Sequence, residues 1–409
     1  MKKIEPETIK INEIPGGVTA PRKFKAAGVS CGLKKNKQKD LAIVFSEVEA
    51  SGAGVFTKNA FAAAPVLLTK KQIEEGICRA IVANSGCANA FTGERGTADA
   101  LAMATTTADC LGIDPEHVAV ASTGIIGDYL PMEKVKAGIA DACRGISVSG
   151  GASAAEAIMT TDTVSKQTAV KFEVNGKLVR LGGMAKGSGM IAPNMATMLA
   201  FITTDIDVDG PSMGASLREA VDNTFNMITV DGETSTNDMV VVMANGASGV
   251  TLGKNDPEYI LFEGALEQAC GTLAKMMVRD GEGATKFIEL TVKGAHTRQD
   301  ARQVGMTVAN SMLVKTAFFG EDANLGRIIA AAGHAGIDID PAEVELYFAT
   351  EKVAENGCYL DYDQGKVEKA MQAEALEITL VIGKGRGSAT VWTTDLSHAY
   401  VEINARYRT

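Results

Sequence analysis

The sequence predicts a layered α/β protein, either α/β or α+β with interleaved sheets and helices. Segments with apolar residues at three- and four-residue spacing read as amphipathic helices. Short β-branched runs read as strands, and the two kinds of segment alternate along the chain. Hydrophobic residues make up 46% and charged residues 22% of the 409 residues, the balance of a chain that folds around a large core.

Taken in order, "PRKFKAA" (21–27) reads as a basic segment outside any strand, and residues 96–111 and 132–143 carry helical periodicity. "KFEVNGKLVRL" (171–181) alternates apolar and polar residues on both sides of Asn175-Gly176, the pair that a two-residue type I′ hairpin turn demands. Strands follow at 198–203, 239–244, 286–293, 343–348, 375–382 and 389–394, with helices at 212–226, 257–278, 298–313 and 322–333 between them. The Gly-rich turn in "VRDGEGATK" ends a long helix before a new strand begins. It divides the chain into a main domain, 1–285, and a smaller C-terminal α/β domain, 286–409.

A net charge of −10 argues against nucleic acid, since phosphate binding needs a basic surface. The opening "MKKIEPETIKINEIPGG" lacks the apolar core of a signal peptide, and no apolar run approaches the ~18 residues of a membrane span. The expected setting is cytoplasmic. The seven cysteines form no C-x-x-C pair and the four histidines are scattered, so reduced, packed thiols and no metal site are expected.

Glycine is abundant, with 43 residues and clusters at "STGIIG" (122–127) and "GGMAKGSGM" (182–190). Such loops either cradle an anion on backbone N–H groups or make tight turns. "VIGKGRGS" (381–388) is followed by β-prone residues, so no helix N-terminus meets a pyrophosphate, and "GEGATK" (281–286) lacks the order of a P-loop. Gly28-Val29-Ser30-Cys31-Gly32 fits a nucleophile elbow, with Asp395 and His398 as conceivable partners. The elbow must follow a buried strand, and the basic segment before it is not read as one.

"KGSGMIAPNMATMLAFITTD" (186–205) places Ala196-Thr197 before a short apolar run. The bland reading of Thr197 is a β-branched residue opening a buried strand. The preceding segment is glycine-rich and broken by proline, and Lys186 within it can stabilise an anion. Attack of the Thr197 hydroxyl on the Ala196 carbonyl, followed by ester hydrolysis, frees an α-amine with a pKa of about 7.7–8.0. That amine then serves as base for its own hydroxyl.

The same stretch resembles the cleavage signature of the ornithine acetyltransferases (glutamate N-acetyltransferases) of arginine biosynthesis. The resemblance runs nearly end to end, through "GGVTAPRKFKAAG", "SGAGVFTKNAFAAAPV", "NSGCANAFTG", "ASTGIIG", "TTDT", "NMITVDGETSTNDM", "SMLVKTAFFGEDANLGRI" and "YVEINARYRT". It implies a sandwich resembling N-terminal-nucleophile hydrolases but with a different topology. It also implies a precursor cut after Ala196 into an α chain, 1–196, and a β chain from 197, and an α2β2 assembly.

By that resemblance Thr197 is the acyl-accepting nucleophile, Thr123 and Gly124 form the oxyanion hole, and Thr160, Lys186, Glu282, Asn404 and Thr409 bind substrate. Acetyl moves from N2-acetylornithine to L-glutamate with no cofactor, acetyl-CoA being a possible co-substrate. Lys186 is expected to pair with a substrate carboxylate and Glu282 with the ornithine side-chain ammonium. Cys87 stands where the family commonly has Asn, and Leu325 where it has an aromatic, which touches substrate preference. The rivals are a threonine-nucleophile aminopeptidase or amidase, and a non-catalytic binding protein with a structural Thr197.

Overall fold

In the computed structural model, which describes residues 10–192 and 198–406, every residue of the strand Leu199–Thr204 is buried. Strand side chains alternate between faces, so a strand buried on both sides needs a layer over each. Leu199 and Phe201 enter a core shared with a second sheet, while Ala200 and Ile202 enter a core shared with helices. Burial of a side chain such as Phe201 contributes about 1.5–3 kcal/mol.

The sheet around this strand runs Asn12–Glu13, Lys166–Val174, Lys177–Lys186, Leu199–Thr204, Met239–Ala244, Ser51–Phe56. Leu199–Thr204 and Met239–Ala244 pair in parallel and the other neighbours are antiparallel. Its outer face packs on helices Gly210–Asn223 and Tyr259–Arg279 through Leu217, Val221, Phe262 and Leu273. A four-stranded sheet, Phe24–Val29, Leu41–Ser46, Ala80–Cys87, Val118–Ile125, covers the inner face through Phe24, Val44, Ile81 and Ala121. Helices Gly93–Leu111 and Met132–Gly145 close its far side through Met103 and Ile139. The result is a helix–sheet–sheet–helix sandwich, the layered α/β class expected.

A third sheet, of six strands from Phe287 to Thr394, packs on helices Arg298–Ala309, Leu325–Gly333 and Gln364–Gln372. It meets the sandwich where Thr229 N donates to Trp392 O at 3.0 Å and Thr229 Oγ1 to Asn310 Oδ1 at 2.6 Å, and its own ladder end is closed by Asp395, which accepts from Thr285 N at 2.8 Å, Lys286 N at 3.0 Å and Thr285 Oγ1 at 2.6 Å.

The hairpin falls where expected, with Val174 opposite Lys177 and positive φ at both Asn175 and Gly176. The expected helix 298–313 is broken in two, because the Ser311 hydroxyl accepts from Val314 N and starts a new helix, Met312–Phe319.

"PRKFKAA" needs correction, since Phe24–Val29 is a strand. Its lysines lie at the sheet edge and Lys25 pairs with Glu47 at 2.6 Å, so charge there marks an edge strand, not a loop. The elbow still fails on other grounds. No α-helix follows the strand, only a turn of 3-10 helix at Lys35–Lys37; its exit is held by Asp40, which accepts from the N–H groups of Cys31, Gly32, Leu33 and Lys34. Asp395 is committed to residues 285 and 286. Gly28 is needed for packing, since a Cβ there would lie 1.8 Å from Ser153 O.

Gly28→Ala is therefore expected to lower stability by about 1–3 kcal/mol, measurable in a denaturant melt. Ser30→Ala, at an exposed position, is expected to change it by less than about 0.5 kcal/mol with turnover intact. Loss of turnover in folded Ser30→Ala would restore the elbow reading.

Candidate active site

The mouth of the sandwich, where strand ends from both facing sheets meet the seam with the third sheet, holds a cavity of about 120 Å³. Six of the residues expected at a site line it: Thr123, Gly124, Thr160, Lys186, Glu282 and Asn404. Ala196, Thr197 and Thr409 lie outside the described residues. Met198, directly after Thr197, is buried, and its N–H donates to Asp238 Oδ1 at 2.8 Å.

Thr123 and Gly124 stand near the end of Val118–Ile125, where the pairing register with Ala80–Cys87 shifts at Gly86 and Cys87. Gly124 has φ 131°, and a Cβ on it would lie 2.4 Å from the Gly86 carbonyl carbon. Only glycine fits this irregularity, which bends the strand end toward the cavity. Asn237 braces the same corner by donating from Nδ2 to Ala88 O at 2.6 Å and Ser122 O at 2.8 Å.

Lys186 ends the strand Lys177–Lys186 and is buried, with Nζ 4.0 Å from Asp162 Oδ2. Burial pushes its pKa down, and the Asp162 charge opposes that most strongly. Asp162 also accepts from Lys166 Nζ at 2.7 Å, Gly187 N at 2.7 Å and Thr160 N at 2.9 Å. Burial alone would raise the Asp162 pKa, but Lys186 and Lys166 outweigh it and hold the carboxyl at about 2. Lys166 bridges on to Asp280, so two ammonium groups and two carboxylates neutralise one another under the cavity floor.

The glycine-rich loop after Lys186 earns its composition at Gly189, where a Cβ would lie 2.3 Å from the Glu282 carboxyl carbon. Glu282 packs on that bare backbone, donates its own N–H to Ser188 O at 2.9 Å, and accepts from Asn404 Nδ2 at 2.8 Å. Asn404 comes from the last helix, His398–Arg406.

Sequence reasoning missed Asp231, Asn237 and Asp238, all within the quoted "NMITVDGETSTNDM". Asp231 accepts from Met190 N at 2.6 Å, Ile191 N at 2.9 Å and Tyr400 Oη at 3.1 Å; burial raises its pKa. The available signal was a run of Asp, Thr, Ser and Asn in front of the apolar strand Met239–Ala244. Of the two family departures, Cys87 hydrogen-bonds Asp128 O at 3.2 Å and Leu325 packs in the third-sheet core; neither lines the cavity.

Among the described lining residues, Asp231, Glu233 and Glu282 set three carboxylates around the cavity against the one ammonium of Lys186, a balance suited to a cationic ligand that carries one carboxylate. Among the described residues no group of three or more His, Cys, Asp or Glu is placed to hold a metal ion, and no helix is long and apolar enough to cross a membrane.

A model of the ArgJ family matches residues 25–409. The arginine biosynthesis bifunctional protein ArgJ of Symbiobacterium thermophilum is 50% identical over 399 residues, 97% of this chain and 99% of that one. The protein of the same description from Bacillus subtilis is 45% identical over 402 residues, 98% of each chain. Among solved structures, ornithine acetyltransferase of Mycobacterium tuberculosis complexed with ornithine is 46% identical, covers 45% of this chain and 99% of that one, and has a TM-score of 0.44.

Asp162 predicts an acid response. Its folded pKa of about 2 lies below the ordinary 3.8, so its contribution is complete above the ordinary value and is lost as pH falls through the folded one. Asp162→Asn is expected to lose about 3–5 kcal/mol at neutral pH, by stranding Lys186 and leaving Lys166 with Asp280 alone, and to show a shallower loss of stability between pH 4 and pH 2 than wild type. Acid titration followed by circular dichroism reads both.

Proposed function

The chain belongs to the ArgJ family, and we propose that it moves acetyl from N2-acetylornithine to L-glutamate through an acetyl ester on Thr197. The observation that carries this reading is the convergence of Thr123, Gly124, Thr160, Lys186, Glu282 and Asn404 on one cavity, at the start of the strand that follows Thr197.

The Thr197 hydroxyl attacks the acetyl carbonyl, and the oxyanion that forms is received by the Thr123 hydroxyl and the Gly124 N–H. Collapse expels the ornithine α-amine, which takes up a proton, and leaves acetyl-Thr197. Glutamate then attacks the ester through its own α-amine, and the second oxyanion collapses to acetylglutamate and free Thr197. One hydroxyl serves both halves in turn, so the kinetics are ping-pong.

Lys186 is assigned to the α-carboxylate common to both substrates, and Glu282, held by Asn404, to the ornithine ammonium. The three cavity carboxylates favour that cation. Thr160 and the chain end Thr409 complete the substrate contacts in this assignment. The free α-amine of Thr197 is the base, which requires the precursor to cut itself after Ala196.

A cytoplasmic setting and an α2β2 assembly of two cut precursors complete the proposal, both resting on the family. Acetyl-CoA is a second candidate donor, since its thiolate is a better leaving group than an amine.

Purified wild type is expected to run as two fragments of nearly equal size in place of one chain of 42.7 kDa, the second beginning at Thr197 by mass spectrometry. Thr197→Ser cuts and turns over; Thr197→Val keeps the β-branched shape without the nucleophile and does neither. Acetylornithine alone adds about 42 Da to the second fragment, the mass of one acetyl on an ester intermediate. An active Thr197→Val chain defeats the proposal, and release of acetate in place of acetylglutamate favours the amidase.

Thr123→Val is expected to lower kcat by about 10²–10³-fold with the fold retained. Lys186→Ala is expected to weaken turnover strongly, and removal of Arg408 and Thr409 to lower kcat/KM. Wild-type values in any of the three remove that residue from the site.

A further inference from the structure

The helix His398–Arg406 brings two side chains to the cavity without burying a residue of its own. Tyr400 Oη donates to Asp231 Oδ2 at 3.1 Å, and Asn404 Nδ2 donates to Glu282 Oε2 at 2.8 Å. Most helices in proteins are located by packing of an apolar face, and this one has no buried face to pack. Its place is set where the chain enters it.

Lys315 holds that entrance. It lies in the helix Met312–Phe319 and is 3% exposed. Its Nζ donates to Thr393 Oγ1 and Thr394 Oγ1, each at 3.1 Å, and to Thr394 O. An ammonium has three donors, and all three go to the last two residues of the strand Gly387–Thr394. Two residues further on, Leu396 N donates to the Lys315 carbonyl at 3.2 Å. The strand exit and the loop after it are thus fastened to one residue, by its side chain and by its backbone. One helical turn beyond Lys315, the Phe319 ring meets His398 edge-on with centroids 5.4 Å apart, while Ser397 Oγ donates to Gly283 O at 2.5 Å.

A charge in this place is costly. Burial pushes the Lys315 pKa down to about 7, against the opposing pull of Asp395 and Asp231. Those two carboxylates face the ammonium, one from the strand exit and one from the loop that Tyr400 touches. An apolar side chain of similar length would fill the space without desolvating a charge. What the lysine adds is three hydrogen bonds of fixed direction.

We propose that Lys315 is a positioning residue for the cavity: by closing three hydrogen bonds on the strand exit, it fixes where His398–Arg406 begins and so where Tyr400 and Asn404 stand. Asn404 in turn holds Glu282, so Lys315 acts on the end of the cavity assigned to the ornithine ammonium without touching substrate. That last step rests on the proposed function; the placement of the helix does not.

Lys315→Met keeps most of the volume and removes all three donors. Thr394→Val keeps the β-branched shape, removes one acceptor, and decides the matter if Lys315→Met does not fold. Hydrogen exchange of the purified protein, read by mass spectrometry, tests the placement. The amides of 398–406 are expected to exchange at least about tenfold faster in Lys315→Met than in wild type, with Thr394→Val between them, while the strand Phe287–Ala295 keeps its protection.

Steady-state kinetics tests the consequence. In a ping-pong scheme each kcat/KM reports its own half-reaction, and Glu282 is assigned to the ornithine side chain alone. The value for acetylornithine is expected to fall about tenfold and the value for glutamate by less. Loss of folded enzyme lowers both equally.

A folded Lys315→Met chain whose last helix keeps wild-type protection overturns the inference. Equal falls in the two kcat/KM values reduce the lysine to a structural role and overturn it as well. A wild-type protein that transfers no acetyl group removes the proposed function instead, and leaves the exchange measurement to decide the placement by itself.

Discussion

Four buried charges under the cavity floor hold the site in register. Asp162 follows the helix Gly151–Ala157, Lys166 opens one strand of the hairpin, Lys186 closes the other, and Asp280 follows the helix Tyr259–Arg279. Lys166, Lys186 and Asp280 stand at element ends and Asp162 in the loop between a helix and a strand, places where small errors of angle displace a side chain most. A buried pair contributes little net stability, because desolvation offsets attraction, but breaking one is expensive. The cluster therefore acts as a constraint on position. Asp162 fixes the backbone at Thr160 and Gly187 while it faces Lys186, so three cavity residues or their neighbours answer to one carboxylate.

Close backbone approach is the second constraint, and it explains part of the glycine count. Gly124 lies against Gly86, and Gly189 lies against the Glu282 carboxylate. The first joins neighbouring strands where their pairing becomes irregular, and the second lets a side chain from beyond the long helix reach the loop after Lys186. A methyl group at either would move a polar group by more than a hydrogen bond tolerates.

The long helices, the Asn175-Gly176 hairpin and the doubly buried strand after Thr197 were legible because each carries its own period over enough residues. The four-stranded sheet was not. Its strands Ala80–Cys87 and Val118–Ile125 are rich in alanine and small polar residues, and residues such as Asn84, Ser85 and Ser122 are buried in them. Ser122 satisfies itself by donating to Asn84 Oδ1 at 2.6 Å, a partnership that no local pattern announces. Asp231, Asn237 and Asp238 were hidden differently. They take their meaning from backbone groups at 190, 191, 198, 88 and 122, which are brought together only by the sandwich. Of the six cavity residues only Lys186 was singled out by its local setting; the other five came through family resemblance, since a lone Glu in a Gly-rich turn carries no sign of its partner Asn404.

The arrangement of strands also shows how a chain cut as proposed would keep its shape. Lys177–Lys186 lies before the proposed cut and Leu199–Thr204 after it, yet the two pair directly, from Leu181 opposite Thr204 to Lys186 opposite Leu199. Ser51–Phe56 and Met239–Ala244 pair across the same divide. Two of the three sandwich cores mix residues from the two sides, with Phe24 and Ile81 against Phe201 and Val241 in one, and Val170 and Leu181 against Leu217 and Phe262 in the other. Loss of the Ala196–Thr197 bond, as proposed, would free the Thr197 amine while the ladder keeps Lys186 and the start of Leu199–Thr204 adjacent, so that chemistry would change the covalent chain without disturbing the geometry on which it depends.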